Sequence, residues 1–230
     1  MTPEARQDAL ARCDLFAELE PGPLARLADR ARLIQADDEQ LLFSEGDTGD
    51  GLWIVVSGIV RVWITDAEGH ALTLALQEPG DMLGEMSLID GAPRSAFATA
   101  LGASDLLFLD ASEFRAVLAE EPSLALHLLS LLAERLRRGN AELRDLAYAP
   151  LRARLSRKLL DLALGHAIAR GDGAIFTRAF SQAELAQMLG ASREAVNRQL
   201  RAMIHDGALV MEDGKIAVPS LKRLEVAARL

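Results

Sequence analysis

Along the first thirty residues the hydrophobic positions recur at helical spacing. Leu10, Leu15 and Phe16, then Leu24, Leu27 and Ala31, predict short helices over 3–32. From about 33 to 109 the pattern changes to short β-rich runs: Leu52-Trp-Ile-Val-Val-Ser, Ile59-Val-Arg-Val-Trp-Ile, Ala71-Leu-Thr-Leu-Ala-Leu, Ala96-Phe-Ala-Thr-Ala and Asp105-Leu-Leu-Phe-Leu. Turn signals at Gly46-Asp, Gly49-Asp-Gly, Ser57-Gly, Glu68-Gly and Pro79-Gly-Asp separate them. Many short strands at this spacing predict a β-barrel or roll. Ser112 is the expected cap of a short helix after the strands, and Pro122 opens a much longer one. Within it Leu129, Leu132, Leu136, Gly139, Leu143 and Leu146 form a heptad seam, which predicts a dimer helix over 121–149. A helix lying on its own domain gives a similar stripe. The length of the run, with Gly139 its one internal breaker, favours the seam. Ala149-Pro150 is the expected hinge.

Beyond the hinge, Leu151 to about Arg170 reads as helix, and Gly171-Asp-Gly as a turn. Ser181 and Glu184 have the spacing of a capping box, which starts a helix running to Leu189. Gly190 suits a tight turn, since glycine tolerates positive φ. Ser192 then caps a second helix that carries Arg193, Glu194, Asn197 and Arg198 near its start. Ala186 is small where two helices must approach, and Val196 plugs the joint. These positions meet the requirements of a helix-turn-helix, whose second helix reaches base edges in the major groove. Arginine can pair with guanine O6 and N7, and glutamate can accept from cytosine N4. Ala208-Leu-Val-Met, the turn Glu212-Asp-Gly and Lys215-Ile-Ala-Val form an expected β-wing, with Lys215 placed for a phosphate. An ordinary helical hairpin with charged outer faces is the alternative, but it needs neither the small-Gly-Val spacing nor two caps.

Charge separates the same two halves. The 230 residues carry a net −9, which at first argues against a nucleic-acid partner. Residues 1–150 hold 12 Lys and Arg against 26 Asp and Glu, whereas 151–230 hold 13 against 8. An acidic half joined to a basic half fits a sensor attached to a DNA reader. The single cysteine, Cys13, excludes an internal disulfide or a multi-thiolate cluster and points to a reducing cytoplasm. Arg6, Asp8, Arg12 and Asp14 interrupt any signal-like apolar core, and no run is long and apolar enough to predict a membrane span.

The remaining chemistry lies in Pro79-Gly-Asp-Met-Leu-Gly-Glu-Met-Ser-Leu-Ile-Asp-Gly-Ala-Pro-Arg-Ser-Ala-Phe-Ala. A small anion needs a cation and hydrogen-bond donors converging from a stiff loop. Arg94 supplies a fork of N–H groups, Ser95 a hydroxyl, and a helical turn starting near Gly84 further backbone donors. Glu85 suits a phosphate neighbourhood only if it accepts from a sugar hydroxyl. Alternatively, Arg94 pairs with Glu85 and the loop is structural.

The stretch Gly190-Ala-Ser-Arg-Glu-Ala-Val-Asn-Arg closely resembles the recognition helix of the cyclic-AMP receptor and FNR family. Gly84-Glu-Met-Ser-Leu…Pro93-Arg-Ser-Ala resembles the phosphate-binding cassette of cyclic-nucleotide-binding domains. Phe43-x-x-Gly-Asp and Leu52-Trp-Ile-Val-Val-Ser-Gly agree, and the resemblance spans roughly 10–225. It implies an α+β fold: a jelly-roll-like β-roll over 1–120, a dimerisation helix over 121–149 and a winged helix-turn-helix over 150–230. It implies that Arg94 and Ser95 bind a cyclic phosphate and Glu85 the ribose 2′-hydroxyl. Gly84, Met86, Val62, Leu74 and Asn140 complete the implied nucleotide set. On the DNA side Arg193, Glu194 and Arg198 match base readers and Ser181 and Ser192 match phosphate binders, with Gln182, Asn197 and Lys215 in the same interface. The implied protein is a cytoplasmic homodimer, not an enzyme. It would take cyclic AMP as an allosteric ligand, bind double-stranded DNA at a palindrome similar to TGTGA-N6-TCACA, and recruit or block RNA polymerase.

One departure bears on the ligand. Where family members that bind cyclic AMP commonly place Thr then Ser or Asn, this chain has Gly139 and Asn140. Asn140 can still bond a purine edge and Gly139 cannot, so cyclic GMP, cyclic di-GMP or no ligand remain alternatives. An enzyme with a regulatory nucleotide domain is a rival of another class. The winged helix already occupies the C-terminal portion, and no nucleophile elbow appears. His70, His127, His166 and His205 are scattered without metal spacing. Trp53 and Trp63 are expected to pack the barrel.

Overall fold

The computed structural model describes residues 1–229, which form two compact units divided after Leu136. In the first unit, α1 (Pro3–Ala11) and α2 (Pro21–Arg30) flank a 3-10 turn at Asp14–Phe16. Eight antiparallel strands follow: β1 (Arg32–Ala36), β2 (Leu41–Phe43), β3 (Gly51–Ser57), β4 (Val60–Thr65), β5 (Ala71–Gln77), β6 (Met82–Leu83), then, after the short helix α3 (Glu85–Asp90), β7 (Phe97–Ala100) and β8 (Ser104–Asp110). They form two sheets, ordered β1-β8-β3-β6 and β2-β7-β4-β5. Helices α4 (Ala111–Glu120) and α5 (Pro122–Tyr148) follow, and the boundary between the units falls inside α5.

Strands β3 and β8 read as unbroken apolar runs because both of their faces are covered. Leu52, Ile54, Leu107 and Leu109 join one core with Leu10, Phe16, Leu27 and Phe114 from the helices and the 3-10 turn. The alternate residues Trp53, Val55, Leu106 and Phe108 join a second core with Val60 and Ala98 of the other sheet. The strand period of two thus sends successive side chains into two separate interiors. Trp53 is buried edge-on against Phe108, as expected of barrel packing. Trp63 instead stacks on Phe97 and donates to Thr99 Oγ1 at 3.0 Å.

The second unit contains α6 (Leu151–His166), β9 (Ala167–Arg170), β10 (Gly173–Phe176), α7 (Gln182–Leu189), α8 (Arg193–His205), β11 (Val210–Glu212), β12 (Lys215–Val218) and α9 (Leu221–Ala228). Its sheet runs β11-β12-β10-β9. Buried Leu155, Leu159, Phe176, Leu185, Val196, Met203 and Leu224 supply apolar side chains from every helix and from β10.

Two expected boundaries are corrected. Ser112 does not cap α4. The helix starts directly at the end of β8, and the Ala111 N–H donates to Asp50 O at 2.9 Å, satisfying an amide that a cap would otherwise serve. The helix after the hinge stops at His166 rather than Arg170. Residues 167–170 instead pair with β10, Ile168 opposite Ile175, and the His166 carbonyl accepts from Thr177 N and Oγ1. Strands β1, β2 and β6 and helix α9 had no sequence-derived expectation. No single helix among the described residues is long and apolar enough to cross a membrane.

Candidate nucleotide site and DNA interface

Arg94 sits at the centre of the cassette with its side chain only 1% exposed. Its main chain is tied to the loop before β3: Arg94 N donates to Asp47 O and Gly46 N to Arg94 O, both at 2.8 Å. Its guanidinium donates from Nη1 to Gly84 O at 2.5 Å and from Nη2 to Gly51 O at 2.7 Å and Asp50 Oδ1 at 2.9 Å. The Phe43 ring lies 4.5 Å away. Nε is buried and has no acceptor among the described residues. Buried N–H groups are nearly always paired, so this donor fits an anion at the guanidinium edge. Gly84 has φ +89, and a Cβ there would collide with the guanidinium. Glycine at this position is therefore required both by the backbone angle and by the arginine it cradles.

Glu85 does not pair with Arg94. Its carboxylate, 4% exposed, accepts from Arg135 Nη1 at 2.8 Å, and Arg135 Nη2 also donates to Met82 O at 2.9 Å. The structural reading in which Arg94 and Glu85 neutralise each other is thereby corrected: each acid has its own arginine. Ser95 is exposed, with Oγ 4.0 Å from the sulfur of half-exposed Met86. Val62 packs against the inter-sheet core, and Leu74 is 44% exposed. Asn140 lies on the part of α5 that belongs to the second unit.

At the helix-turn-helix the predicted local chemistry is present in full. Ser181 Oγ accepts from Glu184 N at 3.1 Å, and Ser181 N donates to Glu184 Oε2 at 2.7 Å. Burial pushes the Glu184 carboxyl up, but hydrogen bonds from Ser181 and Arg178 outweigh it and hold the group below its ordinary range. Gly190 takes the left-handed conformation at φ 53, and Ser192 Oγ accepts from Ala195 N at 3.2 Å. Val196 and Ala186 are buried in the joint. Ser181, Ser192, Arg193, Glu194 and Arg198 are exposed, while Gln182 and Asn197 are half-buried. None of Arg193, Glu194 and Arg198 is in an ion pair among the described residues. In the wing, Asp213 and Gly214 both have positive φ, as a two-residue type I′ turn demands, and Lys215 pairs in register with Glu212.

On α5, Leu129, Leu136, Leu143 and Leu146 are between 46% and 67% exposed, whereas Leu132 packs partly against the core of the first unit. A Cβ at Gly139 would meet nothing within 4 Å.

Known proteins match both halves. Residues 33–121 match the cyclic nucleotide-binding domain, and residues 153–227 the Crp-like helix-turn-helix domain. A CRP-like cAMP-activated global transcriptional regulator of Mycobacterium tuberculosis is 33% identical over 222 residues, covering 96% of this chain and 99% of that one. The chain belongs to the CRP/FNR family. A cyclic AMP receptor protein of Thermus thermophilus is 37% identical over 187 residues, 81% of this chain and 83% of that one. A solved CRP/FNR transcriptional regulator from Thermus thermophilus superposes with TM-score 0.72 at 27% identity, covering 86% of this chain and 99% of that one. This CRP/FNR member is accordingly a DNA-binding regulator with a cyclic-nucleotide-binding domain, in an α+β fold of β-roll, long helix and winged helix-turn-helix.

Asp50 and Arg135 are the site residues that sequence reasoning missed. Asp50 sat in Gly49-Asp-Gly, which read as a turn and nothing more. Arg135 adjoins the seam residue Leu136, and only the question of which cation neutralises Glu85 would have singled it out.

Proposed function

We propose that this regulator is a cytoplasmic homodimer that binds cyclic AMP and then a DNA palindrome similar to TGTGA-N6-TCACA, recruiting or blocking RNA polymerase and catalysing no reaction. The observation that carries the ligand reading is the buried Arg94 guanidinium, whose Nε has no acceptor among the described residues, beside a carboxylate that a second arginine holds in place. The cyclic phosphate takes Arg94 and Ser95, and the ribose 2′-hydroxyl takes Glu85. Gly84, Met86, Val62 and Leu74 line the site, and Asn140 bonds the base. The similarity to cAMP-activated relatives supports cyclic AMP over the alternatives. Dimerisation rests on the exposed leucines of α5: four apolar side chains on one heptad stripe favour a second copy. Leu132 and Gly139 complete that stripe. On DNA, Arg193, Glu194 and Arg198 read bases, assisted by Asn197, while Ser181, Gln182, Ser192 and Lys215 hold phosphates.

Calorimetric titration of the purified protein with cyclic AMP, cyclic GMP and cyclic di-GMP tests the ligand. Cyclic AMP binding at least tenfold tighter than the other two is expected, by about 1.4 kcal/mol or more. Equal or stronger binding of either rival overturns the assignment. A hydrolysis assay on cyclic AMP checks the enzyme alternative, and no product is expected.

A further inference from the structure

In the second unit α6 acts as a hub. Three of its arginines each donate to the C-terminal end of a different helix of the DNA-reading unit. Arg154 Nη2 donates to Leu189 O, the last residue of α7. Arg152 pairs with Asp206, which caps α8. Arg157 Nε donates to Ala228 O, the last residue of α9, at 2.8 Å. Helix C-termini carry partial negative charge and unpaired carbonyls, so cations there are stabilising. The recognition helix α8 is thereby fixed to α6 and moves with it.

Helix α5 is not fixed to α6 in this way. The two are separated by the break at Ala149-Pro150 and pack little against each other. Among the described residues one ion pair crosses the break: the Arg157 Nη1 group contacts the Asp145 carboxylate. Asp145 also closes the last turn of α5, its carbonyl accepting from Ala149 N at 2.9 Å. Asp145 additionally lies close enough to Arg154 to act on its charge. Pro150 removes one backbone donor at the break and biases Ala149 towards extended conformations, so the main chain alone restrains the bend weakly.

We propose that Asp145 and Arg157 form a clasp that sets the bend between α5 and α6 and so positions α8 for DNA. Arg157 holds α9 with Nε and α5 with Nη1, joining the end of the long helix to the rigid reading unit. Both are positioning residues, acting on α8 through α6 and α9. The inference rests on the proposed ligand-controlled DNA binding for its functional readout, but not for its structural one.

Asp145→Asn separates the clasp from the hub, because the helix-end bonds of Arg152, Arg154 and Arg157 to Asp206, Leu189 and Ala228 do not involve Asp145. Asp145→Glu keeps the charge. The test measures affinity for a duplex carrying TGTGA-N6-TCACA with saturating cyclic AMP, cyclic AMP affinity without DNA, and amide exchange over 146–152. For Asp145→Asn, DNA affinity should fall roughly three- to tenfold, since each partly exposed pair contributes a factor of a few and a dimer has two. Cyclic AMP affinity should stay within about twofold of wild type, a split that general destabilisation does not produce. Exchange over 146–152 should quicken, and Asp145→Glu should restore DNA affinity. DNA affinity within twofold of wild type in Asp145→Asn overturns the clasp. If the wild type itself ignores cyclic AMP or this duplex, the proposed function fails, and amide exchange alone decides the clasp: unchanged exchange refutes it and faster exchange upholds it.

Discussion

Arg94 and Asp50 form an ion pair of unequal exposure: the guanidinium side chain is 1% accessible and the carboxylate 69%, with 2.9 Å between Nη2 and Oδ1. Asp50 can swing into solvent at little cost, whereas Arg94 is held in place by Gly51 O and Gly84 O. A phosphate bound at the guanidinium edge, as proposed, would compete with an exposed carboxylate for a fixed cation. Asp50→Asn should tighten cyclic AMP binding about two- to fivefold at low salt, the scale of one exposed charge interaction. Arg94→Leu should weaken it at least about tenfold, since a charge-assisted contact to a desolvated anion is lost. Calorimetry checks both. Weaker binding in Asp50→Asn would make Asp50 an orienting partner instead of a competitor.

The Glu85–Arg135 pair joins the first turn of α3 to α5 and buries its carboxylate more than its guanidinium. Arg135→Gln leaves that acid without a cation. The cost should be about 1–3 kcal/mol, below the range for fully buried pairs because Arg135 is a third exposed. The double variant Glu85→Gln/Arg135→Gln should recover much of it. Urea unfolding of the wild type and both variants measures this, and a double variant no more stable than Arg135→Gln would show that the charge is not the issue.

At the DNA interface Arg193→Ala and Arg198→Ala should each cost about 1–3 kcal/mol and relax preference at one base position. Lys215→Ala should weaken all sequences alike and flatten the salt dependence by about one unit of slope. Binding to a panel of single-base operator variants at several salt concentrations separates the two behaviours. Arginine variants that weaken every sequence equally are not base readers.

Burial pushes the Cys13 thiol from 9.0 up to about 11, against smaller lowering from the amides of Leu15 and Phe16. A neutral, buried thiol reacts slowly, so native protein at pH 8 should resist thiol reagents that label it in urea. The unfolded chain releases this proton at lower pH than the folded one. Stability from this group is therefore complete below about pH 9 and declines as pH rises towards about 11. Rapid labelling of native protein at pH 8 would contradict the burial.

Legibility in the sequence followed the range of the forces involved. The capping box at Ser181–Glu184, the left-handed Gly190 and the Ser192 cap are all local, and each was readable from spacing. The Gly84–Arg94 cassette is readable because its two members lie only ten residues apart, on either side of the short helix α3. The partners Asp50 and Arg135, 44 and 50 residues from Arg94 and Glu85, are set by how the roll closes. The strand at 167–170 was hidden for the same reason: its alternative to helix is pairing with β10, which neither its own residues nor its period reveals. Ser112 looked like a cap only because the carbonyl of Asp50, which serves the first amide of α4, is distant in sequence.

Cyclic AMP control of DNA binding is tested most directly by the affinity of the wild-type protein for a TGTGA-N6-TCACA duplex, measured with and without saturating cyclic AMP. The nucleotide should tighten DNA binding by about 5- to 150-fold, and the duplex should tighten cyclic AMP binding by the same factor, as linkage requires. A ratio of one in both directions, with cyclic AMP bound, would contradict nucleotide control of this regulator.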